Sequence, residues 1–296
     1  MYIENIGIFH DSMERCKTNK VLAAAIDNSI KEQFFFGEND AIEKKYPVRE
    51  VHLSVSEAVE LDCKPRFEKT NVIVSDKRTI QAASAYKGKR ICVLNFASAV
   101  MPGGLVEAGA TTQEESICRI STLYPCISVQ EMQDKFYVPH FKKWGDESNG
   151  SMYNEDLIYT PDVVVFKSDD LSPKLLSEEE WFKVDVVTCA APNLVGNYSL
   201  GNLMAGLVIN AHLIRFTRIL YFAYMYNVDV VILGAFGCGA FRNRPELVST
   251  AALRALSRFK KCFETIEFAV YRPEDSYSHS YDVFKAKESD FIIHAN

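Results

Sequence analysis

The feature that most constrains the fold is a series of nearly continuous apolar segments that alternate with segments of helical composition. The clearest apolar segments are residues 89–98, 161–168, 183–193 and the first part of 228–241. Such runs are typical of strands that helices cover on both faces. The sequence therefore predicts an α/β fold with a mixed, mostly parallel sheet and antiparallel strands at its edges.

The other predicted elements continue this alternation. Further strands are expected over residues 51–59, 70–76 and 264–273, and helices over 18–36, 78–86, 113–124, 200–226 and 244–260. Residues 139–153 are polar and are predicted to form an exposed loop. This order favours one domain over residues 1–296, with a core of about 71–273, a packed N-terminal extension over 1–70 and a C-terminal tail or helix over 274–296.

The composition narrows the possible functions. The net charge of −6 argues against general binding to DNA, RNA or anionic membranes, but it leaves open an anionic ligand at one local site. Neither a transmembrane run nor a secretory signal is evident. The eight cysteines form no C-x-x-C pair, which favours free thiols in a reducing compartment, the cytoplasm or the nucleus. Because the six histidines are scattered, we expect no metal and no cofactor.

A glycine-rich loop follows the strand that begins at residue 228. Gly234, Gly237 and Gly239 would let backbone N–H groups approach a ligand, and the next helix would add its positive end, which suits a diphosphate. Phe236 and Phe241 flank these glycines and could pack on a ribose or a base. The spacing matches neither a dinucleotide-binding fingerprint nor a P-loop, so a simple turn is the alternative.

A second loop, residues 102–112, is rich in glycine and alanine and leads to two adjacent carboxylates, Glu114 and Glu115. Thr112 and Glu115 match the S/T-x-x-E capping box, in which the glutamate accepts only the backbone N–H of the threonine. A cap does not require a preceding loop with so little bulk. Paired carboxylates that face a cleft are also the groups that cleave glycosidic bonds. This segment alone leaves both interpretations open.

Several segments together resemble the microbial-type poly(ADP-ribose) glycohydrolase family, a branch of the macrodomain fold. The likeness begins with NFASAVMPGG and GATTQEESICRISTLY, because a glycine-rich loop closed by Gln-Glu-Glu is the family signature. It continues through YTPDVVVFKSDD, VDVVTCAAPN, LGAFGCGAFRNRPE and FAVY. The resemblance implies a three-layer α/β/α macrodomain-like fold and hydrolysis of ADP-ribosyl linkages. The implied partner is ADP-ribose or poly(ADP-ribose) on modified proteins, and we expect a monomer.

The resemblance also implies roles for particular residues. Glu115 matches the catalytic acid, and Glu114 matches the neighbour that holds the ribose hydroxyls. The implied substrate-binding residues are Asn95, Gly103, Gly104, Gln113, Asn193, Phe236, Gly237, Cys238, Gly239, Ala240 and Phe241. Of these, Asn95 and Phe241 are expected near the distal ribose, and a purely structural turn is an equal alternative for Asn193.

The implied reaction uses Glu115 as general acid and then as general base, without a metal. A protonated Glu115 would donate to the leaving oxygen and then accept a proton from the incoming water. This requires a raised carboxyl pKa, which an ionised Glu114 and a bound diphosphate would favour.

Leu105 departs from the family pattern, in which a third glycine is usual, and its side chain could narrow the ribose site or point outward. Arg242 and Arg244 replace small or acidic residues, and they could bind a phosphate or be solvated. The alternatives are a mono-ADP-ribosyl hydrolase, a non-catalytic ADP-ribose-binding module, and a cysteine hydrolase that uses Cys118 or Cys238.

Overall fold

The computed structural model describes residues 2–37, 63–143, 152–195, 205–274 and 276–296. The strand predicted over residues 51–59 lies outside these ranges. None of the helices described is both long and apolar enough to cross a bilayer.

The described residues contain a seven-stranded sheet in the order β1-β4-β5-β3-β6-β7-β2. Its strands are β1 Phe34–Phe36, β2 Asn71–Ser75, β3 Ile91–Phe96, β4 Leu157–Val165, β5 Phe182–Cys189, β6 Val230–Leu233 and β7 Thr265–Ala269. The pairs from β5 through β2 are parallel, whereas β4 pairs antiparallel with both β5 and β1. The prediction of a mixed, mostly parallel sheet with an antiparallel edge is confirmed.

Helices cover both faces of this sheet. They are α1 Tyr2–Thr18, α2 Lys20–Glu32, α3 Thr79–Ser84, α4 Gln113–Ile120, α5 Leu123–Ile127, α6 Gln130–Met132, α7 Val138–Lys143, α8 Ala205–Met225, α9 Pro245–Leu256, α10 His279–Ala286 and α11 Glu288–Ala295. Alternate residues of β3 face opposite layers, so that Cys92 packs with α8 and α9 while Val93 packs with α1, α3 and α4. The layers are therefore α/β/α, as predicted.

The helix predicted over residues 18–36 is wrong at its C-terminal end. Asn19 caps α2, because its Oδ1 accepts hydrogen bonds from the N–H groups of Val21 at 2.9 Å and Leu22 at 3.2 Å. The helix ends at Glu32, and Phe34–Phe36 form the edge strand β1. Pairing with β4 and stacking of Phe34 on Tyr159, with ring centroids 5.5 Å apart, favour the strand.

Two further boundaries differ from the prediction. The helix predicted over 113–124 divides at Ser121, which forms a bridge with Val165, so Pro125 lies in the first turn of α5 rather than after a helix. The loop predicted over 139–153 begins inside a helix, because α7 continues to Lys143. Residues 144–151 of that loop lie outside the described residues.

The C-terminal segment is part of the main core. Phe284 of α10 and Phe291 of α11 are completely buried, and their ring centroids lie 5.4 and 4.5 Å from that of Phe268 in β7. Residues after 273 therefore help to cover one face of the sheet.

Candidate active site

Two loops meet at the carboxyl ends of neighbouring parallel strands. We call residues 97–112, which follow β3, the β3 loop, and residues 234–244, which follow β6, the β6 loop. Because β3 and β6 are paired and parallel, both loops leave the same edge of the sheet. Ligands of open α/β sheets bind at this edge.

Glu114 lies in the first turn of α4, and only 2% of its surface is exposed. Its Oε2 accepts a hydrogen bond from the Ser98 N–H at 2.6 Å, and its Oε1 accepts one from the Asn95 side-chain amide at 3.3 Å. The backbone of Gly103 donates a further hydrogen bond to this carboxylate. Asn95 at the end of β3 and two residues of the β3 loop, Ser98 and Gly103, therefore fix the position of the Glu114 carboxylate.

Glu115 is also buried, and its carboxylate points toward the β3 loop. Its Oε1 accepts the N–H of Leu105 at 3.1 Å, and its Oε2 accepts a hydrogen bond from the Thr112 hydroxyl. Thr112 is the N-cap residue of α4, but its side chain makes no capping bond to the helix backbone. The capping-box interpretation is therefore wrong.

The two carboxylates converge on Gly104. A Cβ at this position would lie 2.6 Å from Glu115 Oε1 and 3.1 Å from Glu114 Oε2. Its φ of +58° is in the left-handed region, which favours glycine. At Gly103, with φ +69°, a Cβ would lie 2.7 Å from the ring of Tyr124. The paired glycines thus leave room for the carboxylates and for Tyr124 as well as shaping the loop.

The Glu114 carboxyl holds a proton at neutral pH. Burial raises the pKa of Glu114 to about 8, and the charge of Glu115 acts in the same direction. Both carboxyls approach the same point beside Gly104. The sequence had placed the raised pKa on Glu115, whereas the structure raises that of Glu114.

Asn95 and Gln113 support the acid pair. The buried Asn95 amide donates to Glu114 and, at 3.2 Å, to the Thr188 hydroxyl. Gln113 Oε1 accepts the N–H of Phe96 at 2.8 Å, and its Nε2 donates to Leu94 O at 2.7 Å. The Gln113 amide thus ties α4 to β3.

The two aromatic residues of the β6 loop point in different directions. Phe236 is completely buried, and its ring packs against Phe96 and His212 at centroid distances of 5.5 and 5.6 Å. The expectation that its ring packs on a ribose or a base is therefore wrong, because the ring belongs to the core. Phe241 is only half-buried, and its ring centroid lies 6.2 Å from that of Tyr153.

The tip of the β6 loop presents backbone to solvent. Gly239 and Ala240 are exposed, and a Cβ at Gly239 would meet nothing within 4 Å. Among the described residues, the N–H groups of Gly239 and Ala240 have no hydrogen-bond partner. The half-buried Cys238 lies beside them. Backbone N–H groups placed in this way are suitable donors for an anion.

Asn243, which the sequence did not single out, holds this loop in shape. Its Nδ2 donates to Pro192 O at 2.6 Å and to Gly237 O at 3.1 Å, while its Oδ1 bonds the ring of His212 at 3.0 Å. Gly237 has φ +77°, and a Cβ there would lie 2.6 Å from Asn243 Nδ2. Burial lowers the pKa of His212 to about 3, so the ring is neutral. The sequence offered no local signal for this contact, because His212 lies on α8.

Asn193 has the structural role that the sequence left open. Its Oδ1 accepts the N–H of Val195 at 3.2 Å, which forms a turn, and its side chain also bonds that of Tyr153. The fully buried Arg215 fixes the same region, because it donates to the carbonyls of Asn154 and Ala190, both at 2.8 Å. Sequence analysis did not single out Arg215, because its partners lie on distant segments of the chain.

Leu105 does not fill the site. Its side chain is 53% exposed, while its backbone N–H holds Glu115. Arg242 and Arg244 are both exposed, and Arg244 lies 3.7 Å from Glu246. The departures from the family pattern therefore lie at the surface.

A cavity of about 230 Å³ adjoins the two loops. Phe96, Gln113, Cys238, Gly239 and Tyr271 are among its lining residues. The carboxylates of Glu114 and Glu115 do not line it, so it extends the site away from the acid pair along the ends of β3, β6 and β7. Lys77 and Arg78 also line it, so its walls combine cationic, polar and aromatic side chains.

The cysteine alternative has no geometric support. Burial raises the pKa of both the Cys118 and Cys238 thiols, which disfavours the nucleophilic thiolate. Within the described ranges, no group of three His, Cys, Asp or Glu side chains is placed to hold a metal ion.

Comparisons with known proteins identify the family of the chain. The family model "Microbial-type PARG, catalytic domain" matches residues 12–168, which is more than half of the chain. The comparison with curated proteins gives no match. The poly(ADP-ribose) glycohydrolase from Thermomonospora curvata, bound to the inhibitor ADP-HPD, has 25% identity and a TM-score of 0.75, with 96% of this chain and 98% of that chain covered.

The poly(ADP-ribose) glycohydrolase from Deinococcus radiodurans, in complex with ADP-ribose, has 26% identity and a TM-score of 0.71. The match covers 89% of this chain and 97% of that chain. The matched family model spans the β3 loop and both glutamates of α4. The chain therefore belongs to the family of microbial-type poly(ADP-ribose) glycohydrolases.

Proposed function

We propose that this protein hydrolyses ADP-ribosyl O-glycosidic linkages and releases ADP-ribose, as a poly(ADP-ribose) glycohydrolase. The observation that carries the proposal is the convergence of two buried carboxylates on Gly104, one with its pKa raised to about 8, at the sheet edge where ligands bind. Family membership and neighbours solved with ADP-ribose support it. No cofactor enters the chemistry that we propose for these residues.

In the proposed complex, three parts of the site hold three parts of the ligand. The N–H groups of Gly239 and Ala240 bind the diphosphate, and Phe241 packs against the distal ribose. The cavity beside Tyr271 receives the adenosine end. The distal ribose then lies at Gly103 and Gly104, with the carboxylates directly behind it.

In the proposed reaction, the proton that Glu114 holds at neutral pH first passes to Glu115, which leaves Glu114 ionised. Glu115 donates this proton to the glycosidic oxygen as the bond from C1 of the distal ribose breaks, which leaves an oxocarbenium-like ribose. Glu114, held by Ser98 and Asn95, orients the ribose hydroxyls and stabilises the developing positive charge. Water then attacks C1, and its proton returns to the Glu115 carboxylate.

The test is a product assay on poly(ADP-ribose) and on proteins that carry single ADP-ribose marks. The wild-type chain should release ADP-ribose from the polymer, and Glu115→Gln should lower the rate by about 10²-fold or more, because the amide cannot donate the required proton. Glu131→Gln is the matched control, since Glu131 of α6 is an exposed carboxylate that pairs with Lys135.

Tight binding of ADP-ribose without release from any substrate would make the chain a binding module instead. Release only from singly marked proteins would identify a mono-ADP-ribosyl hydrolase. Equal rates for wild type and Glu115→Gln would exclude the assigned role of Glu115.

A further inference from the structure

The N-terminal helix α1 packs directly on the back of the β3 loop. Asn5 is 4% exposed, and its side-chain amide donates to Gly109 O at 3.0 Å. Gly109 has φ +78°, and a Cβ there would collide with the backbone carbonyl of Tyr2. Helix and loop therefore touch backbone to backbone at this point, which leaves little space for either to move.

A second set of contacts reaches the loop through α4. The Ser12 hydroxyl donates to Arg119 O at 2.6 Å, and the Arg119 guanidinium donates to Ala110 O in the loop. The buried Lys167 donates to Ser12 Oγ at 2.7 Å and anchors α1 to the end of β4. The residues just before Thr112 are thus held between α1 and α4.

A third contact reaches the other end of the loop. Phe9 of α1 is 3% exposed and packs edge-on against Tyr124, with ring centroids 4.9 Å apart. The Tyr124 hydroxyl donates to Glu107 at 2.7 Å, and its ring lies where a Cβ of Gly103 would be. Helix α1 therefore supports the loop on both sides of the short helical turn Val106–Ala108.

The supported segment is the one that holds the acid. The Leu105 N–H and the Thr112 hydroxyl are the two groups that donate to the Glu115 carboxylate. Leu105 immediately precedes the turn over residues 106–108, and Thr112 follows Gly109 and Ala110, which α1 and Arg119 hold. A shift of this loop would move both donors and, with them, Glu115.

We infer that α1 is a positioning element of the active site, with Asn5 as its positioning residue for Glu115. This inference rests on the proposed function, because it concerns the rate at which Glu115 acts. Asn5 contributes through the loop geometry and does not touch the substrate. Helix α1 thus supports the active site, although it lies outside the glycine-rich signature.

The experiment compares Asn5→Ala with Asp11→Asn in the full chain. Asp11 lies on the same helix and pairs with Lys167 at 2.7 Å and with Arg15 at 2.8 Å, so its substitution removes ion pairs of α1 but no contact to the β3 loop. For each variant we measure kcat per molecule that binds ADP-ribose, counted by titration, together with the Kd for ADP-ribose. Counting binding-competent molecules removes any loss that arises only from unfolding.

Asn5→Ala should lower kcat by about tenfold with little change in Kd, because the loop shifts by a fraction of an ångström. Asp11→Asn should leave kcat within about twofold of wild type. Gly109→Ala perturbs the same contact from the loop side and should reproduce the loss in kcat.

Unchanged kcat in both Asn5→Ala and Gly109→Ala would overturn the inference, as would an equal loss in Asp11→Asn. If Asn5→Ala does not fold, Gly109→Ala decides the question, and Asn5→Gln, which keeps an amide donor, should restore folding. An inactive wild-type chain would instead refute the proposed function.

Discussion

Gly104→Ala tests whether the acid pair depends on the space that this glycine leaves. The new Cβ would lie 2.6 Å from Glu115 Oε1, about 0.8 Å inside the 3.4 Å limit of ordinary contact. The carboxylate or the loop must move by a comparable distance, and a misplacement on the order of 1 Å costs about 10²-fold in rate. The left-handed backbone costs alanine about 1–2 kcal/mol, offset by about 0.4–1 kcal/mol from a less flexible unfolded chain. The free energy of unfolding should therefore fall by only about 1 kcal/mol.

Gly88→Ala is the matched control for this prediction. Gly88 has φ +92°, and a Cβ there meets nothing within 4 Å, so the substitution carries the backbone cost without the collision. Release of ADP-ribose from poly(ADP-ribose) and urea unfolding are measured for both variants. The reasoning is refuted if Gly104→Ala keeps the activity of Gly88→Ala, because the carboxylates would then tolerate a side chain between them.

Four other predictions concern single residues of the site. The folded-state pKa of Glu114, about 8, lies above its ordinary value of 4.5, so the free energy of unfolding should fall as pH rises between these values. Glu114→Gln should flatten this dependence in urea titrations, and an unchanged slope would contradict the buried proton. Phe236→Ala should lower the free energy of unfolding by about 3–5 kcal/mol. Phe241→Ala should instead weaken ADP-ribose binding in calorimetry with a stability change below about 1 kcal/mol. Leu105→Gly should keep the rate of ADP-ribose release within about threefold, because the exposed side chain leaves the N–H to Glu115 unchanged; a larger gain would place the side chain in the substrate's path.

Local sequence was sufficient where one short segment contains all the interacting parts. Gly103, Gly104, Glu114 and Glu115 lie within thirteen consecutive residues of a strand–loop–helix unit. Their glycines and carboxylates therefore constrain one another through the chain itself. The capping-box alternative failed because the Thr112 hydroxyl turned to Glu115 rather than to the helix backbone, which the spacing alone could not show.

Contacts between distant segments were not predictable in this way. Phe236 looked like a ligand contact because it flanks the glycines of the β6 loop, but its ring packs against Phe96 and His212 in the core. Asn243 and Arg215 shape the site through side chains whose partners lie on other elements. Phe34–Phe36 form a strand because they pair with the edge of β4, although their sequence context was helical.

The sequence by itself determined the alternation of strands and helices, and it located both functional loops, because apolar period and glycine content act over a few residues. The tertiary structure decided the chemical state of the site. The pKa of Glu114 rises because β3, the β3 loop and α4 together exclude water from it. The position of Glu115 depends on a loop that α1 supports from a distance of about a hundred residues along the chain. Burial and support of this kind exist only after the chain has folded, because they arise from segments that the sequence keeps apart.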